Sequence, residues 1–378
     1  MLALGRELAA RGHEVTLQTW AKWEDEVRNG RMAFAAAPEY HVFPTRERPM
    51  KPYAAVVRAA REMAPLVQEV RPQAVVADIL TLAPALAGEV AGVPVATVVP
   101  HVYPPAEPSF PPYALGARLP RTALGRAGWQ AVARVTAAGL GQGRDELNET
   151  RRRLGLPAQS RFHGGISADL CLVGTFPQLE YPRRWPPGVH VVGPLLWEPP
   201  SESVELPPGD DPLVLVAPST SQDPGQRLLR ATLAGLADEP VRVIATFNRR
   251  PPPEPVEVPP NARLVDWLSY ERTMRRCDVV VLHAGHGTLA RALACGCSVV
   301  ACPAGGDMAE NAARADWAGV GVRLPSSLVS AATVRLAVRR ALAEPKIRQR
   351  AAELAAWARR HDGARAGADL VERFARSD

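Results

Sequence analysis

The chain has 378 residues, of which 47% are hydrophobic and 22% charged, a composition typical of a globular protein with room for two domains. Its formal net charge of +6 suits an anionic ligand, but the arginines are scattered and form no stripe with aromatic residues, so we do not expect nucleic-acid binding. Residues 74–100, the longest apolar region, are interrupted by Asp78, Glu89 and prolines, and the first fifteen residues lack the pattern of a signal peptide. We therefore expect a cytoplasmic protein without a transmembrane segment.

The five cysteines show neither a disulfide framework nor the spacing of zinc ligands. Cys295 and Cys297 flank a predicted helix-to-strand turn, and Cys277, Cys302 and His283 lie near them in the sequence. Because pairs separated by two residues are missing, we interpret these cysteines as small buried apolar residues. The sequence therefore predicts no metal site, and the odd cysteine count indicates a reducing compartment.

The first half of the chain alternates between helical and strand patterns, which is typical of a doubly wound parallel sheet. The predicted elements are helix 2–10, strand 13–17, helix 53–70, strand 74–77, helix 82–90, strand 95–99, helix 125–154 and strand 170–173. A domain of this kind does not comfortably begin with a helix, so we expect its first strand and the following loop to precede Met1. Residues 100–120 are rich in proline and aromatic residues, which predicts a loop that packs on the domain or lines a pocket.

A proline-rich stretch from Pro182 to Pro212 marks the domain boundary, and we assign residues 196–212 to a semi-rigid linker. The pattern then restarts with strand 213–217, helix 226–236, strands 241–246, 262–265 and 279–282, a helix from Thr288 to Gly296, strand 298–301 and a helical region 333–375. These patterns predict a first domain at 1–195, a second at 213–360, and a C-terminal helix at 361–378 that could pack back on the first domain. Two such domains usually bind their ligand in the cleft between them.

The turn His283-Ala-Gly-His-Gly287 connects a buried strand to the helix that Thr288 opens. Such a turn directs backbone N–H groups and the positive end of a helix dipole to one point, so it predicts an anion site, most plausibly for a phosphate. Two further loops follow strands of the same domain, one with Ser219 and Thr220 and one with Asp307. Because parallel strands end at the same edge of a sheet, the three loops together suit a phosphate with a sugar attached. The dinucleotide-binding and P-loop glycine motifs are missing.

These residues resemble a known family. The segment VDWLSYERTMRRCDVVVLHAGHGT, with RELAARGHEVTL near the start and ELNETRRRLGLP in the middle, is similar to family 1 glycosyltransferases of bacterial natural-product type. The resemblance covers nearly the whole chain and implies the GT-B fold, which consists of two Rossmann-like doubly wound domains with an inter-domain cleft. It also implies that a nucleotide diphosphate sugar is the co-substrate and that no other cofactor is used.

The resemblance assigns a role to each loop of the second domain. Trp267 occupies the place of the indole that stacks on the nucleobase, and an aromatic face suits that task. His283 occupies the place of the histidine that binds the diphosphate, while Asp307 matches the residue that binds the sugar hydroxyls. The remaining donor-binding positions are Ser219, Thr220, Gly285, His286, Gly287 and Thr288.

Three departures from the family pattern bear on this assignment. Met308 stands where a glutamine is common, and Arg291 stands where a ribose-binding glutamate is usual, so that UDP- and dTDP-sugars are both open. The catalytic histidine of the family lies in the loop after the first strand, which is the part we expect to precede Met1. Asp78 matches the carboxylate that orients this histidine, and His101, at the end of the next strand, is the nearest substitute base.

The sequence thus predicts an inverting glycosyltransferase that acts on an apolar small molecule, such as a polyketide-like or aromatic aglycone. Two alternatives remain open. One is a non-catalytic relative that binds nucleotide sugar as an auxiliary protein, and the other is an epimerase of similar fold. The sequence leaves the oligomeric state open, and a homodimer is one alternative.

Overall fold

The structure, a computed structural model, describes residues 1–38, 52–201, 203–219, 223 and 225–376. The first domain contains α1 (Leu2–Ala10), β1 (Thr16–Thr19), α2 (Glu24–Asn29), β2 (Ala33–Ala36), α3 (Pro52–Val70), β3 (Val75–Asp78), α4 (Leu82–Val90), β4 (Val95–Val99), α5 (Ala123–Arg153), β5 (Cys171–Val173) and β6 (Val189–Val191).

The second domain and the C-terminal helices follow in the same alternating order. They comprise β7 (Leu213–Ala217), α6 (Arg227–Leu236), β8 (Arg242–Thr246), β9 (Ala262–Val265), α7 (Tyr270–Met274), β10 (Val279–Leu282), α8 (His286–Cys295), β11 (Ser298–Ala301), α9 (Met308–Ala318), β12 (Gly321–Arg323), α10 (Ala331–Ala343), α11 (Pro345–Ala358) and α12 (Gly363–Phe374).

The second domain contains one six-stranded parallel sheet in the order β12-β11-β10-β7-β8-β9. Its central strands β7 and β10 are buried along their whole length, as their uninterrupted apolar sequences predict. The adjacent strands β11, β10 and β7 run in the same direction. The loops after these three strands therefore open on one edge of the sheet, where the donor-binding residues were predicted.

The strands of the first domain form two parallel sheets, β1-β2 and β3-β4-β5-β6. In the second domain, β7 lies inside the sheet and pairs with both β8 and β10. In the first domain, no described strand pairs with both sheets. The expectation that such a strand precedes Met1 stays a prediction.

The predicted sheet class is confirmed, and several element boundaries differ from those expected. The predicted strand 13–17 lies at Thr16–Thr19, and α8 begins at His286 rather than Thr288. The helical C-terminal region is divided into three helices, because Pro345 and Gly363 each start a new one. Within the proline-rich stretch the structure has the short strand β6, which pairs with β5.

The described part of residues 196–212, which we predicted to be a semi-rigid linker, packs on the second domain. Leu196, Val204 and Leu206 lie against its main apolar cluster. The carboxylate of Glu198 accepts hydrogen bonds from the backbone N–H groups of Tyr270 (2.7 Å) and Glu271 (2.9 Å), at the start of α7. An acidic side chain at this end of a helix compensates its free N–H groups, so the segment is fixed to the domain that follows it.

The helix α12 returns to the first domain. Its Ala368 and Val371 belong to an apolar cluster with Leu4 of α1 and residues of β4 and β5. Arg11 adds an ion pair to Asp369 at 2.6 Å. The last helix therefore contributes to the core of the first domain.

Candidate active site

The turn after β10 combines a strained residue with a helix N-terminus. Ala284 is fully buried and has a left-handed backbone conformation with φ of 63°, which an alanine adopts only at a cost of about 1–2 kcal/mol. Its carbonyl oxygen accepts a hydrogen bond from the Asn311 side chain at 3.0 Å. Gly285 then precedes α8, whose first turn contains His286, Gly287 and Thr288. The first N–H groups of a helix have no acceptor within it, so this turn can bind an anion.

His283 lies at the end of β10 with its ring almost fully buried. Its Nδ1 is 3.0 Å from the carbonyl oxygen of Cys302, and its Nε2 is 3.0 Å from a carboxylate oxygen of Asp223. Burial lowers the pKa of His283, and the negative charge of Asp223 opposes this effect. Each ring nitrogen of His283 therefore faces one acceptor, and the ring lies at the sheet edge where the turn after β10 opens.

Trp267, in the loop after β9, is half-buried. The guanidinium of Arg249 lies 4.8 Å from the centre of its ring, and the ring of Tyr270 lies 6.3 Å away. Tyr270 donates a hydrogen bond of 2.9 Å to Asn248, whose side-chain N–H donates to the carbonyl oxygen of Pro218. This chain of contacts ties the Trp267 loop to the loop after β7.

The other predicted donor-binding residues lie at the same edge. Asp307 immediately precedes α9, and its carboxylate oxygen is 3.3 Å from the Asn311 side-chain nitrogen. Ser219 follows β7 and is half-buried. Thr220 lies outside the described residues.

The ring of His286 contacts the first domain. Its Nε2 donates to the carbonyl oxygen of Gly174 at 3.3 Å, while its Nδ1 is buried without a partner among the described residues. Burial lowers the pKa of His286 to about 4. A neutral histidine therefore joins α8 to the first domain.

His101 follows β4 and is also buried. Its Nδ1 is 2.8 Å from the Val102 carbonyl oxygen and 3.2 Å from the hydroxyl of Tyr113. A carbonyl oxygen can only accept, so we assign the proton to Nδ1, which leaves the lone pair of Nε2 available as a base. Burial raises the pKa of Tyr113, and the nearby charge of Asp307 raises it further. Tyr113 thus contacts His101 and also packs against the apolar cluster of the second domain.

Asp78 ends β3, beside β4, so it lies at the same edge of the first domain as His101. Its carboxylate accepts a hydrogen bond of 2.9 Å from the backbone N–H of Leu80. In the part of the chain that the structure describes, the hydrogen bonds of His101 run to Val102 and Tyr113 and not to Asp78. The two residues share an edge of the sheet but are not a hydrogen-bonded pair.

Arg291 explains one departure from the family pattern. Its buried guanidinium is 3.1 Å from Glu271 and donates a 2.8 Å hydrogen bond to the carbonyl oxygen of Trp197. The residue therefore fixes residues 196–212 against α7 and α8. Its sequence position alone gave no indication of this structural role.

A buried charged cluster between the domains was not predicted. Arg314 of α9 pairs with Glu310 at 2.7 Å and with Glu180 of the first domain at 3.1 Å. Glu180 also accepts a 2.6 Å hydrogen bond from the backbone of Tyr103. Glu180 and Arg314 are 134 residues apart, so no local pattern connects them.

Comparison with known proteins identifies the family. Residues 230–361 match the model of the erythromycin biosynthesis protein CIII-like C-terminal domain. The 4'-demethylrebeccamycin synthase of Lentzea aerocolonigenes is 33% identical over 295 residues, which are 74% of this chain and 69% of that protein. The chain belongs to the natural-product glycosyltransferases of the GT-B fold.

Two further comparisons agree with this assignment. A PGL/p-HBAD biosynthesis glycosyltransferase of Mycobacterium tuberculosis is 32% identical over 224 residues, which are 55% of this chain and about half (49%) of that glycosyltransferase. The solved structure of the kitacinnamycin glycosyltransferase is similar in fold, with a TM-score of 0.75 and 21% identity over 99% of this chain and 94% of the other.

Two observations bear on metals and membranes in this glycosyltransferase. Over the described ranges, no cluster of three or more His, Cys, Asp or Glu side chains is arranged to hold a metal ion. Within those same ranges, no helix is both long and apolar enough to span a membrane. All five cysteines are free thiols.

Proposed function

We propose that this glycosyltransferase moves a sugar, with inversion, from a UDP- or dTDP-sugar to a hydroxyl of an apolar small molecule such as a polyketide-like or aromatic aglycone. The observation that carries the proposal is the contact between the loop 100–120 of the first domain and the donor loops of the second. Gly116 of that loop packs so closely on α9 that an added Cβ would come within 2.8 Å of Ala309. Tyr113 of the same loop is near enough to the predicted sugar-binding Asp307 for its charge to raise the pKa of the tyrosine, and its hydroxyl lies 3.2 Å from Nδ1 of His101.

The donor would bind at the edge formed by the loops after β7, β10 and β11. Its nucleobase would stack on Trp267 after Arg249 moves aside, and its diphosphate would lie at the start of α8 beside His283. Backbone N–H groups at a helix end favour negative charge, so they would stabilise the leaving diphosphate without a metal ion. The hydroxyls of the sugar would be bound by Asp307.

His101 is the proposed base. Its Nε2 would take the proton of the acceptor hydroxyl as the oxygen attacks the anomeric carbon from the face opposite the diphosphate. The new carbon–oxygen bond forms while the bond to the phosphate oxygen breaks, and the diphosphate leaves with that electron pair. Apolar side chains of the loop 100–120, which include Tyr103 and Phe110, are buried, and the apolar character of this loop supports an apolar acceptor.

The test combines donor binding with transfer. Purified protein is incubated with UDP- and dTDP-sugars and a panel of phenolic and macrocyclic acceptors, and the product's anomeric configuration is determined by NMR. We expect His101→Gln to reduce kcat by about 10²–10⁴-fold with little change in nucleotide affinity, since it removes only the base. His283→Ala should instead weaken nucleotide binding by about 10–100-fold, because a charge-assisted hydrogen bond is lost.

His13→Gln is the matched control, because His13 is exposed and pairs with Glu372 away from the cleft. Nucleotide binding without transfer to any acceptor would favour the auxiliary protein, and isomerised donor without acceptor would favour the epimerase. A protein that binds no nucleoside diphosphate would contradict all three.

A further inference from the structure

The anion-binding edge of the second domain contains a carboxylate of the chain itself. Asp223 lies in the loop after β7, with its side chain 13% exposed, and its Oδ2 is 3.0 Å from Nε2 of His283. The same carboxylate accepts hydrogen bonds from the backbone N–H groups of Arg227 (3.0 Å) and Leu228 (3.1 Å) in the first turn of α6. The carboxylate of Asp223 thus contacts both the N-terminus of α6 and Nε2 of His283.

This contact fixes the proton of His283. Cys302 offers a carbonyl oxygen to Nδ1, and Asp223 offers a carboxylate to Nε2. A carboxylate is the stronger acceptor, so the neutral ring is favoured in the form with its proton on Nε2. A phosphate oxygen approaching Nε2 requires the same form.

A diphosphate cannot share this nitrogen with Asp223. Both groups are anions, and their repulsion in a partly buried site is much larger than in water. A bound diphosphate must therefore either displace the carboxylate of Asp223 or bind without a hydrogen bond from Nε2 of His283.

We propose that Asp223 is a positioning residue that keeps the proton on Nε2 of His283 before the donor binds and is exchanged for the diphosphate when the donor binds. This inference rests on the proposed function, in which His283 binds the diphosphate. Affinity for the nucleotide then includes the cost of displacing Asp223, and removal of its charge strengthens diphosphate binding.

The test is a calorimetric titration of Asp223→Asn with UDP and dTDP, and with uridine and thymidine, which carry no phosphate. The asparagine keeps an oxygen that can accept from the first turn of α6 and loses only the charge. We expect the dissociation constant for the diphosphates to fall about tenfold, which is the effect of removing one repulsive charge pair at an intermediate effective dielectric. Affinity for the nucleosides should stay within twofold, whereas a general structural change would alter both.

Three further variants separate the explanations. Asp238→Asn makes the same charge change at the exposed far end of α6 and should leave both affinities unchanged. Asp223→Ser provides a second capping oxygen in case the asparagine variant is unstable. In the His283→Ala background, Asp223→Asn should strengthen binding less than in the wild type, because the competition for Nε2 is gone and only the charge repulsion remains.

The outcomes distinguish the inference from the proposed function. If the wild type binds UDP or dTDP and Asp223→Asn binds them no more tightly, the inference is wrong and the proposed function stands. If neither protein binds any nucleoside diphosphate, both are wrong.

Discussion

The buried ring of His286 makes the stability of the interface depend on pH. Burial lowers its pKa to about 4 from the usual 6.5, so the folded state keeps the ring neutral at pH values where the unfolded chain binds a proton. The contribution of the neutral His286 ring to stability is therefore fully present above pH 6.5 and is lost as the pH falls towards 4. Over this pH range the protein loses roughly 3 kcal/mol of unfolding free energy through the protonation of His286.

The measurement is denaturant unfolding at several pH values between 7 and 4 for the wild type and His286→Gln. Carboxylates also titrate in this range, so the informative quantity is the difference between the two proteins. The advantage of the wild type should decrease as the pH falls, since the glutamine cannot bind the proton. A difference that does not change with pH would show that His286 is not kept neutral by the fold.

At the scale of single residues, the sequence was informative where chemistry is local. Trp267, His283 and Asp307 could be proposed because each follows a strand and belongs to a recognisable motif, and their roles stay predictions. Asp223 could not be proposed, because its contact with His283 spans 60 residues and depends on a side-chain conformation. Long-range side-chain pairs leave no periodic trace in the sequence.

The long helix α5 contains glycines in its interior, although its surroundings leave room for larger side chains there. Its buried residues are confined to Thr150 and Arg151 near its end. An added Cβ at Gly128, Gly139 or Gly143 would contact nothing within 4 Å. Glycine in a helix interior costs about 0.5–1 kcal/mol relative to alanine, because more backbone freedom is lost on folding.

Replacement of these three glycines by alanine should therefore raise the unfolding free energy by about 0.5–1 kcal/mol each, and nearly additively. Gly296, which ends α8 with φ of +87°, is the matched control. Gly296→Ala should destabilise the protein by about 1 kcal/mol or more, since alanine is strained in that conformation. Denaturant unfolding of the four single variants measures both the expected stabilisation in α5 and the expected destabilisation at Gly296. Destabilisation by the α5 substitutions would show that this helix packs on a surface the structure does not contain.

At the scale of elements, long apolar runs and long helices were predicted well, and short elements were not. The buried strands β7, β10 and β11 have the predicted boundaries because each is a continuous apolar run. The strand β2, with the sequence AFAA, and the three-residue strand β12 are too short to show a period. The start of α8 was placed two residues late, because His286 and Gly287 are weak helix formers that only the fold of the turn makes helical.

At the scale of the molecule, the contacts between the two domains include a buried ion pair and an exposed one. Arg314 and Glu180 are each about 3% exposed at their side chains, whereas Arg118, which pairs with Asp316 at 3.0 Å, is 76% exposed. The sequence predicted two domains and a cleft between them. It could not predict which charges are buried where they meet, because that depends on the relative placement of the domains.

The two pairs should differ strongly in their energetic effect. Arg314→Met leaves Glu180 and Glu310 buried without their partner, which should cost about 3–5 kcal/mol of unfolding free energy. Arg118→Met removes an exposed partner and should cost about 0–1 kcal/mol. Denaturant unfolding of both variants makes the comparison within one interface.

The pH dependence of the Arg314→Met effect identifies its cause. Burial raises the pKa of Glu180, and the positive charge of Arg314 opposes this, so without the arginine the pKa rises further. The carboxyl can then be protonated in the folded state at mildly acidic pH, and its buried charge disappears. The cost of Arg314→Met should therefore be smaller at pH 5 than at pH 8, and Glu180→Gln in the same background should remove much of this difference. The guanidinium carbon of Arg314 also lies 3.5 Å from the centre of the Tyr181 ring. An equal cost at both pH values would mean that the loss of this packing, and not an unpaired charge, destabilises the variant.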